Sequence, residues 1–267
     1  MTDYSKSTPA EVRLAARKGL LGKQTSGMAE GYVQANLAVL PGRLAYDFLL
    51  FCMRNPKPCP IIEVGGKGEY LTRFIAVGAD IRTDIPRYRV YRNGMKTEEP
   101  YDITELWQDD FVYFLIGCSF SFERRLIAGG VPVRHIEMGT NVPMYITNVQ
   151  CRPAGAFHGP MVVSMRPVPG RLVSRAVEIT AALPAVHGSP VHIGDPSVIG
   201  IADLGKPDFG DPVTINPGEV PVFWACGVTP QAAALAAKPE IMITHSPGHM
   251  FVGDIPDDRI QEFIYGA

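Results

Sequence analysis

Apolar residues in this chain fall into short runs divided by proline, glycine and polar clusters, and the period of each run predicts its element. Val222, Phe223 and Trp224 read as a short buried strand. Thr229-Pro230 then opens, and Pro239 stops, an Ala-rich helix over Gln231 to Lys238, so strand meets helix through a turn holding Cys226 and Gly227. Phe111 to Gly117 repeats this logic as a central strand running into Cys118-Ser119-Phe120-Ser121, with a helix through Ala128 that ends at Gly129-Gly130. Pro60 to Val64 reads as a buried parallel strand carrying Glu63, and Ile241 to Thr244 as a last strand running into His245-Ser246-Pro247-Gly248-His249. Further helices are expected at Ala10 to Lys18, Met28 to Leu40, Leu44 to Arg54, Leu172 to Leu183 and Asp257 to Tyr265. Tyr32, Gln34 and Asn36 put polar groups into the second of these, and they need partners if buried. Asp80 to Arg92 alternates like an edge strand interrupted by Pro86.

Together these elements predict an α/β chain: a three-layer α/β/α sandwich with a mainly parallel or mixed sheet, formed by residues 1–118 and 185–267. The β-like runs after Val133, separated by prolines and glycines, predict a smaller two-layer α+β lobe inserted at 119–184.

Composition narrows the class. With 46% hydrophobic and 19% charged residues over 267 positions the chain reads as globular, and 25 basic against 27 acidic side chains give no footprint for nucleic acid or an anionic membrane. A small-molecule carboxylate or amino acid is the expected partner, with a homodimer left open. The first residues lack an apolar targeting core, and the longest uncharged run, Phe111 to Phe122, is too short to span a bilayer, so a cytoplasmic protein is expected. Five widely spaced cysteines without a CxxC pair argue for reduced thiols and against a zinc ribbon. No metal and no cofactor are expected; His187, His192 and Asp195, in a turn-rich loop, are the residues a metal would use.

The strand-to-helix turns carry the candidate chemistry. Such a turn presents unpaired N–H groups and the positive helix end, which favour a bound carboxylate and lower the pKa of a nearby thiol. If both turns lie at strand ends of one parallel sheet, they line one cleft. Cys118 and Cys226 are therefore candidate catalytic groups, with Ser119, Ser121, Gly227, Thr229 and Gln231 as substrate contacts. His245 and His249 are loop histidines able to exchange protons, and Arg82 and Arg87 offer planar forks for a carboxylate, although pairing with Asp80 and Asp84 is an equal reading for such arginines.

The stretches TSGMAEGYVQANLAVLP, FCMRNPKPCP, ADIRTDIPRYRVY, FLIGCSFSFE, RHIEMGTNVPMY, VVSMRP, HGSPVHIGDP, VFWACGVTPQ and ITHSPGHM together closely resemble the bacterial family named "putative hydro-lyase", also called the D-glutamate cyclase family. The resemblance spans nearly the whole chain; GGKGEYLT, residues 65–72, follows it least. It implies a carbon–oxygen lyase that forms 5-oxo-D-proline from D-glutamate with loss of water, on a two-part α/β fold. The competing expectation is a non-catalytic protein that holds a carboxylate ligand.

Overall fold

A ten-residue strand with both faces buried lies at the centre of the molecule. In the computed structural model, which describes residues 3–266, the strands in chain order are β1 (Tyr32–Pro41), β2 (Ile61–Val64), β3 (Tyr88–Arg92), β4 (Met95–Glu98), β5 (Phe111–Gly117), β6 (Met144–Gln150), β7 (Pro160–Pro169), β8 (His192–Ile193), β9 (Glu219–Ala225), β10 (Met242–His245) and β11 (Phe251–Pro256). The helices are α1 (Pro9–Arg17), α2 (Gly42–Arg54), α3 (Phe120–Ala128), α4 (Arg134–Met138), α5 (Val173–Ala181), α6 (Val228–Ala236) and α7 (Ile260–Tyr265). A capping box between Thr8 and Glu11 starts α1, as its Thr-Pro opening suggests.

The expected helix at Met28 to Leu40 is instead β1, and the reason is its two-residue period. Val33, Ala35, Leu37 and Val39 enter one core, whereas Ala38 and Leu40 enter a second. β5 divides in the same way, with Phe111, Tyr113 and Leu115 in the first core and Val112, Phe114 and Ile116 in the second. A strand apolar on both sides is suited to a sheet covered on both faces.

Seven strands form the larger sheet in the order β2-β5-β1-β10-β3-β4, with β11 also on β1, and four form the smaller one in the order β6-β7-β9-β8. Every pairing is antiparallel. This corrects the expected mainly parallel sheet: the chain is mixed α/β with antiparallel sheets. It also moves Val222–Trp224, which lie on β9 in the smaller sheet, away from the strands they were expected to join. The smaller sheet draws β6 and β7 from residues 144–169 and β8 and β9 from residues 192–225, so it extends beyond the 119–184 stretch read as a lobe.

The first core holds Val168, Ala176, Val222 and Trp224 together with one face of β1 and β5, and thereby joins the two sheets. Phe48 and Phe51 of α2 and Ala233 and Ala234 of α6 fill the second. Phe48 meets Phe114 edge-on at 4.8 Å between ring centroids; burying each such ring contributes about 1.5–3 kcal/mol.

One irregularity sets up the site. β11 pairs with residues 32–35 of β1 and β10 with residues 38–39, so two strands share one edge of β1 and leave a gap between them. The loop Ser246–Met250 leaves the sheet at that gap.

Candidate active site

Asn36 brings the two cysteine turns together. Its Nδ2 donates to the carbonyls of Ile116 (3.2 Å) and Gly117 (2.9 Å) at the end of β5, just before Cys118. A Cβ on Gly227 would lie only 2.2 Å from that same Nδ2, so Gly227 is needed for the second turn to close on Asn36. Cys226 is near enough to help raise the Cys118 thiol, although the two follow strands of different sheets. The parallel-sheet argument for a shared cleft fails, yet a shared asparagine joins the turns.

The thiols do not behave as a helix start alone would dictate. Burial pushes Cys226 up to about 11 and raises Cys118 as well, outweighing the nearby N–H groups and Arg166, so both are protonated at neutral pH. Cys226 Sγ rests 3.5 Å from Met144 Sδ.

His245 fills the gap in the β1 edge. Its Nδ1 accepts from the Leu37 N–H at 3.1 Å, with Gln231 Nε2 at 3.0 Å. Burial lowers its pKa to about 3, so the ring is neutral, and the acceptor role of Nδ1 puts the proton on Nε2. This geometry makes His245 a hydrogen-bond donor rather than a base. His249 is different: Nδ1 lies 3.0 Å from the Pro247 carbonyl, to which it donates, which leaves Nε2 as the basic nitrogen. Burial, helped by Arg87 and Arg89, lowers its pKa.

Behind the first turn lies a buried ionic cluster. Arg166 on β7 is 1% exposed; its Nη2 bonds Glu123 and, at 3.0 Å, Ser119 Oγ, and its Nη1 bonds Ser164 Oγ at 3.1 Å. His135 Nε2 sits 3.0 Å from Glu123 Oε1 but off the line of a hydrogen bond, and it has no other partner. Burial raises the Glu123 pKa, but His135 and Arg166 more than offset this and hold it below its ordinary value.

His135 and His249 both line a cavity of about 460 Å³, together with Lys23, Gln24, Ser26 and Thr140. The buried Oγ1 of Thr140 has no hydrogen-bond partner among the described residues. Unsatisfied buried polar atoms are uncommon, and the Thr140 hydroxyl marks a place where a polar ligand restores what folding removed. A smaller cavity, about 160 Å³, lies beside it and reaches Gln34 and Glu123.

The other sequence candidates have local partners. Ser121 Oγ accepts from the Gln34 N–H at 2.9 Å, and Thr229 Oγ1 accepts from the Val162 N–H at 2.9 Å, each tying a helix to a strand. Arg82 spends its fork on Asp80 at 2.7–2.9 Å and stacks on Tyr70. Arg87 donates to the Glu99 carbonyl at 3.2 Å and stacks on Tyr101 close to His249, and among the described residues no carboxylate pairs with it. His187 Nδ1 meets the Lys57 carbonyl, whereas His192 Nε2 meets the Asp195 carbonyl; among the described residues no three His, Cys, Asp or Glu side chains are grouped to hold a metal.

Sequence reasoning missed Glu123, His135, Arg166 and Asn36 as site groups. Only Asn36 gave a signal, as a polar side chain in an apolar run.

Comparison with known proteins decides the family. The signature of the D-glutamate cyclase family matches residues 112–254, more than half of the chain. A protein of Thermoanaerobacter sp. strain X514 named "Putative hydro-lyase" is 62% identical over 258 residues, 97% of each chain. This chain belongs to the D-glutamate cyclase family. Another member, "Putative hydro-lyase YcsI" of Bacillus subtilis, is 62% identical over 252 residues, 94% of this chain and 98% of that one. A solved nitrogen repressor-like protein from Methanococcus jannaschii covers 91% of this chain and 97% of its own at 11% identity, with a TM-score of 0.39, too slight a likeness to carry an argument. The matched region contains Glu123, His135, Arg166, His245 and His249; no helix among the described residues is long and apolar enough to cross a membrane.

Proposed function

We propose that this family member is a carbon–oxygen lyase acting on a small carboxylate or amino acid, with conversion of D-glutamate to 5-oxo-D-proline and water as the reaction to test first. The observation that carries this reading is the cavity lined together by His135, whose Nε2 is held 3.0 Å from Glu123, by Thr140, whose Oγ1 lacks a partner among the described residues, and by the neutral His249. Family membership and the names of its relatives point to the same class.

The chemistry suits those groups. As the ring closes, a C–N bond forms between the amine and the side-chain carboxyl carbon and a C–O bond breaks. The ammonium gives up two protons and the departing oxygen takes two, so no net proton enters or leaves. A neutral imidazole is needed to collect the first proton, and His249 Nε2 is the free basic nitrogen at the cavity. His135, beside the anionic Glu123, is placed to return a proton to the leaving oxygen, and the Thr140 hydroxyl to donate to a developing oxyanion. Lys23 at the exposed rim and Arg87 near His249 supply positive charge for the substrate's carboxylates. The Cys118 and Cys226 thiols, raised by burial, stay protonated, and neither lines the two cavities described above. Five buried, unpaired cysteines support a reducing, cytoplasmic setting.

Incubation of the purified protein with D-glutamate should yield a product lighter by one water, detected by mass, and His249→Gln should abolish it. A protein that binds D-glutamate or 5-oxo-D-proline in a titration without interconverting them would instead be a carboxylate-binding module.

A further inference from the structure

Thr25 is fully buried, and each of its polar groups is engaged. Its Oγ1 accepts from the Met250 N–H at 3.0 Å and faces two acceptors for its own proton, Gln34 Oε1 at 2.7 Å and the Gly248 carbonyl at 3.0 Å. Its N–H donates to that Gly248 carbonyl at 2.8 Å, while its carbonyl accepts from Gln34 Nε2 at 2.9 Å and the Met28 N–H at 3.0 Å. Gln34 stands on the central strand β1, and its N–H is held by Ser121 of α3. Thr25 thus grips both residues that flank His249 and anchors them to the buried central strand β1. The approach is so close that a Cβ on Gly248, whose φ is +79°, would lie 2.6 Å from Gln24 Cγ.

The residues on either side of Thr25 complete the picture. Lys23, Gln24 and Ser26 line the same cavity as His249, so the segment Gly22–Ser26 forms one wall and the Gly248–Met250 loop another. We propose that Thr25 is the positioning residue of the site: its hydroxyl fixes the His249 imidazole in the cavity wall and holds the adjacent Lys23 at the rim, setting the separation between the proton-transfer group and the cation that meets the substrate's carboxylate. This rests on the reading of the cavity as the active site. A hydroxyl is required because a donor, the Met250 N–H, and an acceptor, Gln34 Oε1, meet at a single buried atom; an isosteric methyl group takes that partner from both, while the Gly248 carbonyl keeps the Thr25 N–H.

The charged and titratable groups around His249 are Arg87 just before β3, Arg89 on β3, Glu99 after β4, His245 from β10, and His135 and Lys23 on the cavity walls. Changing Thr25 replaces none of these groups, so a change in His249 titration in a Thr25 variant reports the placement of the ring relative to them and to water.

NMR titration of the His249 ring in the full-length protein, assigned with His249→Gln, tests the proposal without any substrate. The wild type and Thr25→Ser should titrate below the ordinary histidine value, while Thr25→Val should move up toward it as the released loop lets water reach the ring. Where D-glutamate is turned over, Thr25→Val should also lose about 10- to 100-fold in kcat with a smaller change in KM, and Thr25→Ser should restore most of the loss. An unchanged His249 titration in Thr25→Val, or an equal shift in Thr25→Ser, would overturn the assignment. Should Thr25→Val not fold, hydrogen exchange at the Met250 amide of the wild type decides: strong protection supports the hydroxyl bond, and exchange at free-loop rates refutes it. Absence of turnover with the expected titrations would count against the lyase reading and leave the positioning role intact.

Discussion

Arg166 shows how much of the site depends on a charge that water cannot reach. Its guanidinium has Glu123, Ser119 and Ser164 as partners, with the rings of Phe122 and Trp224 at 5.0 and 5.5 Å from its central carbon. Desolvating two such ions costs several kcal/mol each, offset here by their mutual attraction and the two serine hydroxyls, while Arg166 Nε has no partner among the described residues. Removing one partner leaves the other charge stranded, so Arg166→Met should destabilise the protein by about 3–5 kcal/mol, read from the urea midpoint. Adding Glu123→Gln should recover part of that loss, since the remaining group is neutral. A double variant no more stable than the single one would mean that Arg166 matters for its packing and not its charge. Sequence reasoning favoured Arg82 and Arg87 because they are concentrated in one arginine-rich stretch, but density says nothing about partners, and Asp80, two residues away, occupies the fork of Arg82. Arg166 stands alone in an apolar run, where nothing local marks its charge as buried.

At the level of elements, apolar runs bounded by turn residues were legible wherever strand and helix periods differ clearly. β5, β10, α1 and α2 lie close to where their patterns place them. β1 was misread because Val33, Leu37 and Leu40 also satisfy a helical spacing, and a strand buried on both faces lacks the apolar–polar alternation that separates the two. That error hid the site's organising strand, since Gln34 and Asn36 point from β1 to the residues that hold the walls. The turn at Gly227 tests this arrangement. Its φ of −66° suits any residue, so the nearest obstacle to a side chain is Asn36. Gly227→Ala should therefore cost about 1–3 kcal/mol through overpacking. In an Asn36→Ala background the same change should be neutral or slightly stabilising, because alanine lowers backbone freedom in the unfolded chain. Denaturant midpoints of the four proteins give the coupling directly, and additive effects would show that the two turns do not meet on this asparagine.

For the molecule as a whole, the buried neutral histidines set how it responds to acid. Burial lowers His245 to about 3 and His187 to about 4, whereas in the unfolded chain both titrate near the ordinary 6.5. Below that value the unfolded state binds protons the folded state refuses, so stability is present above about pH 6.5 and drains away as pH falls toward the folded values. Each histidine should cost about 2 kcal/mol between pH 7 and pH 5. Glu99 acts in a lower window. Burial raises its pKa, but the Ser246 hydroxyl and Arg89 prevail and hold it at about 2, so its contribution is full above the unfolded carboxylate range and is lost between there and about pH 2. The two windows make the histidines separable by measurement. His187 has a φ of +85°, a left-handed conformation that asparagine tolerates well, so His187→Asn removes the titrating ring without adding backbone strain. Urea midpoints at pH 7, 6 and 5 should fall steeply in the wild type and about half as steeply in His187→Asn, with the two proteins losing stability in parallel below pH 4, where Glu99 takes over. An equal slope in the two proteins above pH 5 would show that His187 takes up its proton in the folded state as readily as in the unfolded chain, and the acid response would then rest on His245 and the partly buried His249.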